Sequence, residues 1–464
     1  MKAGTIVKFI FAIIASLILL SIVFPNDGIE LFGTTLRFPS ISEVIALNND
    51  SIPNGNSPKD IIQQRKSDLE IAKENEFNSF CQKSPARFYM PNNNIAYLDA
   101  FFRALDNANK SSVRIMHYGD SQLECDRISC DLRLRFQSQF GGMGVGLIPV
   151  LQTIGTYTLN QNTSPQEVPR GLVYGSHENR LSHHRYGVMG QVTKIYGSVK
   201  VSVSGLGKHY PTSANFQKIT VNAKGGSYKV VTSDTTYILK QDKNKLEEDI
   251  YSVILKKPVS RASIILNGNA EVYGIMLDGI TGVTIDNIPM RGCSGTVFTE
   301  INPSSMAPFF QHENVGLIIL QYGGNSVPYI KTKEQIEDFK QSIKKQINVF
   351  RQLAPNASML FIGPADMATR QKGVMSTYPQ MEDVVMALKD ASNESGIAFW
   401  DMYSAMGGRN SIVKWVNARP QLAGSDHIHF TPKGAKEISD ILYNTFQLYY
   451  KFYRYRNGLD KYSE

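Results

Sequence analysis

Residues 316–324 read GLIILQYGG, an apolar run that ends at Gln321 and breaks into a double-glycine turn. A short unbroken apolar run of this kind suits a strand covered on both faces. A helical pattern follows from Thr332 to Leu353, then SMLFIGP (358–364), a second helical stretch at Met381–Glu394, IAFWDMY (397–403), and a last helix from Pro432. Strands alternating with helices predict an α/β unit with a parallel sheet and helices on both faces. Upstream, helix-spaced apolar residues at Tyr97–Leu105 precede a short buried strand, Val113–Met116, which runs into Gly119-Asp120-Ser121. Between these parts, from about Gln152 to Asn269, the texture changes to alternating runs such as VKVSVSG (199–205) and FQKITVNA (216–223). This pattern predicts an inserted all-β, sandwich-like module.

Composition bounds the rest. The 464 residues are 42% apolar, 19% charged and 10% aromatic, which excludes a disordered or collagen-like chain. The net charge of +8 is a mild basic excess without a basic, aromatic-interleaved stripe in the central chain, so no nucleic-acid partner is expected. Four cysteines, Cys81, Cys125, Cys130 and Cys293, have neither CxxC nor zinc-type spacing, so neither a disulfide framework nor a metal site is expected. Cys125 and Cys130 are read as core thiols on one helix after Ser121. His177, His183 and His184 lie in a polar loop without carboxylates at fixed spacing, which argues against a metal cluster there.

At the N-terminus, Lys2 and Lys8 precede the apolar run Phe9–Phe24, which Pro25 closes. We read an uncleaved signal anchor with the remainder exported, a cleaved signal peptide being the alternative. The expected order is an anchor (1–25), a linker or stalk with a charged surface helix (26–91), the first part of the α/β unit (92–151), the β module (152–270), the second part (271–455) and a tail (456–464).

Four segments at predicted strand ends could carry chemistry, because open α/β sheets bind ligands outside the carboxyl ends of their strands. His117-Tyr-Gly-Asp-Ser121 is a strand-to-helix turn that exposes Ser121 Oγ near unpaired helix N–H groups. Gln321-Tyr-Gly-Gly-Asn325 offers two close-approach glycines, Gly323 and Gly324, and a neutral amide donor. Gly424-Ser-Asp-His-Ile-His-Phe-Thr-Pro432 holds Asp426 with two candidate bases, His427 and His429. Asp286–Gly295 contains a glycine-bearing turn able to supply a backbone N–H.

The order Ser, Gly, Asn, Asp-x-x-His resembles the SGNH (GDSL-type) hydrolase superfamily. The resemblance covers about Val113–Gln152 and Val272–Tyr449. It implies a flavodoxin-like three-layer fold, Ser121 as nucleophile, and an oxyanion hole of Ser121, Gly292 (Gly295 being the alternative) and Asn325. Asp426 and His429 would complete the triad, the block's spacing choosing His429 over His427. Asp120, Gly323, Gly324, Cys293 and His427 are further pocket candidates. Two departures stand out: Ser121 and Gly292 are separated by the β module, and Phe430 follows the histidine where the family usually has proline. The pieces HYGDSQLECDRIS, DNIPMRGCSG and DHIHFTPKG are similar to exported peptidoglycan O-acetylesterase-like proteins, some of which carry an inserted β module. The resemblance implies a cofactor-free serine esterase of the periplasm or cell envelope, held by its anchor to the inner membrane, or secreted if that segment is cleaved. Its substrate would be an acylated carbohydrate. An O-acyltransferase with the same triad and a non-catalytic glycan-binding protein are the competing readings.

Overall fold

The computed structural model describes residues 74–241 and 250–459, with isolated positions between 16 and 71. The Phe9–Phe24 run falls almost wholly outside the described residues, among which no helix is long and apolar enough to cross a membrane. Within the expected stalk, Ile29–Leu31 pairs antiparallel with Thr34–Leu36.

From Glu74 onward the chain is one compact unit. Its central sheet has six strands in the order Gly282–Pro289, Ser112–Gly119, Val315–Gln321, Ser358–Ile362, Ala398–Trp400 and Phe88–Tyr89. The first five are parallel, and the last is an antiparallel edge. The apolar run 317–320 explains the layering. Leu317 and Ile319 point into one buried cluster and Ile318 and Leu320 into another, since successive side chains leave a strand on opposite faces. Helices Lys333–Leu353 and Met381–Glu394 cover one face through Ile343, Ile347, Phe350, Val384 and Leu388. Helices Asp99–Asp106, Ser129–Phe140 and Pro432–Arg456 cover the other through Phe101, Leu132, Phe136, Ile438, Leu442 and Phe446. Thr332 and Gln335 cap the long helix reciprocally, which explains why it starts at Lys333.

The body begins before the expected boundary at 91. Phe77 is buried and stacks on Phe452 with ring centroids 3.9 Å apart, and Phe88–Tyr89 extends the sheet, so residues 74–91 are not stalk. Their sparse apolar positions are spent on docking to the last helix rather than on a core of their own.

The all-β stretch forms a nine-stranded sheet whose outermost residues in sequence, Gly146 and Asp278, extend past the expected 152–270. Hydrogen bonding joins all nine strands into one sheet rather than the two of a simple sandwich. The cause is length: Arg261–Asp278 outruns each neighbour and pairs with Gln191–Gly205 along one portion and with Gly146–Ile148 along the next. Leu147, Met189, Tyr273 and Met276 of this stretch share a buried cluster with Met290, Phe298 and Phe350 of the α/β part. The two parts are therefore packed through a common apolar core.

Candidate active site

The strand order reverses between Ser112–Gly119 and Val315–Gln321. From the first strand the chain returns to one side, at Gly282–Pro289, and then crosses to the other. Such a switch point opens a crevice at the carboxyl ends of the two strands. Ser121 follows one of these strands and Asn325 the other.

Gly119 is required by space, because a Cβ there would stand 2.8 Å or less from the Leu123 side chain and 3.1 Å from the Gln321 carbonyl oxygen. The backbone then enters a 3-10 turn, Ser121–Asp126, which Asp120 caps by accepting from Gln122 N–H at 2.9 Å. The regular helix begins only at Ser129, and Cys125 has a φ of +63°. Cys125 and Cys130 are thus not on one helix as expected. Cys125 belongs to the turn and Cys130 to the helix. Gly323 has a φ of +120°, a conformation open to glycine, and it swings the chain so that Gly324 and Asn325 face the crevice.

His429 Nδ1 donates to Asp426 Oδ2 at 2.7 Å, which leaves Nε2 to accept from the Ser121 hydroxyl at 2.9 Å. Asp426 Oδ1 also accepts the backbone N–H groups of Ile428 and His429, both at 3.0 Å. Burial alone would raise the Asp426 carboxyl, but the hydrogen bonds from His429 and the loop N–H groups outweigh it and hold the group below its ordinary range. It therefore stays charged opposite the imidazole. Asn325 Nδ2 donates to Asp120 Oδ2 and to the Cys293 carbonyl oxygen, each at 3.1 Å, which aligns the amide and ties the turn at 290–293 to the Asp120–Ser121 turn. Burial pushes the Asp120 carboxyl up to about 6, against the Gln122 N–H, His429 and Asn325, which favour its charge.

Ser121, His429, Asn325, Asp120 and Gly324 line a cavity of about 170 Å³, closed on its other sides by Tyr329, Pro364 and Met367 among others. Gly323 and Cys293 are not among the residues that line it, and burial pushes the Cys293 thiol up to about 11. His427 turns Nδ1 toward the Ser425 carbonyl, 3.0 Å away, and does not join the triad geometry. Gly292 lies outside the cavity lining, in the turn beside Cys293, and no atom stands within 4 Å of where its Cβ would be. Gly295 instead backs onto the Tyr322 ring, and its N–H donates to Cys293 Sγ at 3.3 Å.

Sequence reasoning passed over Gln122. Its amide nitrogen donates to the Ile428 carbonyl at 2.6 Å and its oxygen accepts the Phe430 N–H at 3.3 Å, so it clamps the histidine loop from both sides of His429. Proline at 430 would have no N–H to give. The phenylalanine in its place supplies that N–H and packs its ring against Trp415, centroids 5.4 Å apart. Two neighbouring residues in a turn, Ser121 and Gln122, hold the same distant loop, a pairing invisible without the fold. Among the described residues, no group of three or more His, Cys, Asp or Glu side chains is gathered as a metal site. His183 meets Glu271 at 3.1 Å, and His184 Nδ1 lies 3.0 Å from the Glu300 carbonyl.

The geometry is that of an α/β protein with a hydrogen-bonded Ser-His-Asp relay and a side-chain amide at a switch-point crevice. The chain has the fold of a solved peptidoglycan O-acetylesterase, with a TM-score of 0.64 at 17% identity over 79% of this chain and 99% of the other. At that identity the likeness is one of fold. A GDSL-like lipase from Parabacteroides merdae (15% identity, 36% of this chain and 74% of the other, TM-score 0.29) and an acetyl xylan esterase (11%, 35% and 80%, 0.28) are also similar. Scores that low establish no shared architecture. No protein-family model matches the chain, and no curated protein matches it.

Proposed function

We propose that the protein is a serine esterase that removes a small acyl group, O-acetyl in the first instance, from a cell-envelope carbohydrate such as peptidoglycan. The observation that carries this reading is the unbroken relay from Ser121 Oγ to His429 to Asp426, at 2.9 and 2.7 Å, on the wall of a cavity of only about 170 Å³. A cavity of that size suits a short acyl group better than a long chain. The fold shared with a peptidoglycan O-acetylesterase supports the choice of substrate class.

In this mechanism His429 Nε2 takes the Ser121 proton as Oγ attacks the ester carbonyl, and Asp426 stabilises the imidazolium that forms. Negative charge then develops on the former carbonyl oxygen. The Ser121 N–H and the Asn325 amide are the donors we assign to it, Asn325 exchanging one of its present acceptors, Asp120 Oδ2 or the Cys293 carbonyl, for the oxyanion. Gly292, outside the present cavity lining, is added on the family resemblance. A single oxyanion donor is worth about 2.7–4 kcal/mol. His429 returns the proton to the leaving sugar oxygen, and an acyl-Ser121 intermediate remains. Water activated by the same imidazole releases the acid. No metal or organic cofactor takes part in these steps. The Phe9–Phe24 run would hold the exported enzyme at the membrane, within reach of an envelope glycan.

Acetate release by the full chain from 4-nitrophenyl acetate and from O-acetylated peptidoglycan, beside Ser121→Ala and His429→Ala, tests the reading. Release from both substrates that is lost in both variants is the expected result. Folded protein that releases nothing from either substrate, or a Ser121→Ala variant as active as the parent, would overturn it.

A further inference from the structure

A second cavity, of about 330 Å³, lies between the nucleophile turn and the nine-stranded sheet and shares no lining residue with the triad's cavity. One side of it is Glu124–Asp126, three to five residues beyond Ser121, and another is Pro289 and Arg291, next to Gly292. The position is thus adjacent to both turns that frame the reacting centre. The walls are largely apolar, with Leu147, Pro149, Leu151, Leu172 and Met189 facing inward. The volume falls at the low end of the roughly 300–1,000 Å³ usual for small-molecule sites, enough for one ring-sized group and its substituents.

The charges in this cavity do not balance. Three guanidiniums line it. Arg133 is paired with Asp126 at 2.6 Å, and Arg291 grips Glu124 through two nitrogens at 2.5 and 2.7 Å. Arg170, partly buried at the start of the strand Arg170–Leu172, has no carboxylate partner among the described residues. Tyr174 lines the same cavity, and its hydroxyl likewise has no hydrogen-bond partner among them. Burial pushes that phenol up to about 12 while the Arg170 charge pulls it down, so at neutral pH it is an O–H donor. A lone guanidinium and a phenol in apolar walls match one planar monoanion. A phosphate dianion would call for a second cation.

We propose that this cavity is an accessory subsite for a carboxylate carried by the glycan substrate: Arg170 pairs with the carboxylate, Tyr174 donates to it, and the apolar walls take the ring or side chain that bears it. The assignment rests on the glycan-ester reading of the triad. A binding role for a polymer fits the surroundings. Gln152 and Leu159 line both this cavity and an open groove on the nine-stranded sheet, edged by Asn160, Asn162, Ser202 and Ser263, along which further sugar units can run.

The test compares kcat/KM of the full chain on three O-acetylated probes: a uronate oligosaccharide, a peptidoglycan fragment with free stem-peptide carboxylates, and a neutral xylo-oligosaccharide. The wild type should prefer at least one acidic probe over the neutral one, and which acidic probe wins identifies the carboxylate's source. Arg170→Gln should cut that preference tenfold or more, through KM, Arg170→Lys should restore part of it, and Tyr174→Phe should cut it a few-fold. No acidic preference in the wild type, or a preference that stays within twofold in Arg170→Gln, would overturn the assignment. Binding separates this failure from failure of the esterase reading. Calorimetry with the deacetylated acidic probes should show saturable binding to Ser121→Ala, weakened at least tenfold when Arg170→Gln is added. Binding that is absent, or indifferent to Arg170, overturns the subsite whether or not the enzyme hydrolyses anything.

Discussion

Two charged clusters stand on the same strand of the central sheet, and they have opposite characters. At its start, Arg114 is ringed by Asp278, Asp286 and Glu313 at 2.5, 2.6 and 3.0 Å, with all four side chains at most 5% exposed. At its end, Ser121 reaches His429 and Asp426, whose side chains are 34% and 48% exposed. The buried cluster carries the stronger perturbations. Burial pushes Asp278 up to about 6 and raises Asp286, while Arg114 overrides the burial of Glu313 and holds it well below its ordinary range. Yet nothing can reach it. Its three carboxylates come from the last strand of the nine-stranded sheet, from the neighbouring parallel strand, and from the residue group just before Val315, so Arg114 joins three parts of the chain. The lesson is that perturbed ionisation alone does not mark a reactive centre. The triad differs in having one face open to a cavity and a relay that ends on a hydroxyl.

That contrast can be broken experimentally. Ser121→Ala should lower kcat by about 10⁴-fold or more, with thermal unfolding close to that of the parent. Asp426→Asn should cost about 10⁴-fold in kcat, because the amide favours the wrong imidazole tautomer. Arg114→Met should do the reverse, losing about 3–5 kcal/mol of stability in denaturant unfolding as buried carboxylates lose their partner, while kcat per folded molecule is retained. A catalytic loss without a stability loss at Arg114 would erase the distinction between the two clusters. Asn325→Ala should lower kcat by about 10²–10³-fold, the cost of one oxyanion donor.

The smallest effect concerns pH. Asp120 is pushed up to about 6 from 3.8, so between those values the folded protein binds more protons than the unfolded chain, and this group's contribution to stability falls as pH rises. The window spans up to about 3 kcal/mol. Denaturant unfolding from pH 4 to 6 should show this decline in the parent and a flatter profile in Asp120→Asn. Asp426 has the opposite sign. Its carboxyl is depressed, so its contribution is present above its ordinary value of 3.8 and is lost as pH falls below it.

Much of this arrangement was legible from residues alone. The run 316–324 and the alternation after it announce the parallel sheet, because unbroken apolar runs between helical patterns need two covered faces. Ser121 and Asn325 stand in turns at strand ends, as expected, whereas Asp426 and His429 lie not at a strand end but in the loop between the helices Ser411–Asn417 and Pro432–Arg456. In each case the short motif reads locally and the fold only has to bring the pieces together. Partnerships across distance were not legible. Gln122 looks like any polar turn residue until it is seen holding the carbonyl of Ile428 and the N–H of Phe430. The β stretch reaches beyond 152–270 because Gly146–Ile148, too short to show as a strand in the sequence, is held by pairing with residues 275–277. Arg170 likewise looks like an ordinary edge charge, and only packing reveals that its neighbours' carboxylates are already taken.

Everything proposed for the site depends on Ser121 being a nucleophile activated by His429. Labelling the full chain with a fluorophosphonate, followed by peptide mass spectrometry, measures this most directly. The expected result is a single covalent adduct on Ser121 in the parent, none in Ser121→Ala, and labelling slowed by orders of magnitude in His429→Ala. An adduct on another residue, or labelling of Ser121 at the same rate without His429, would contradict it.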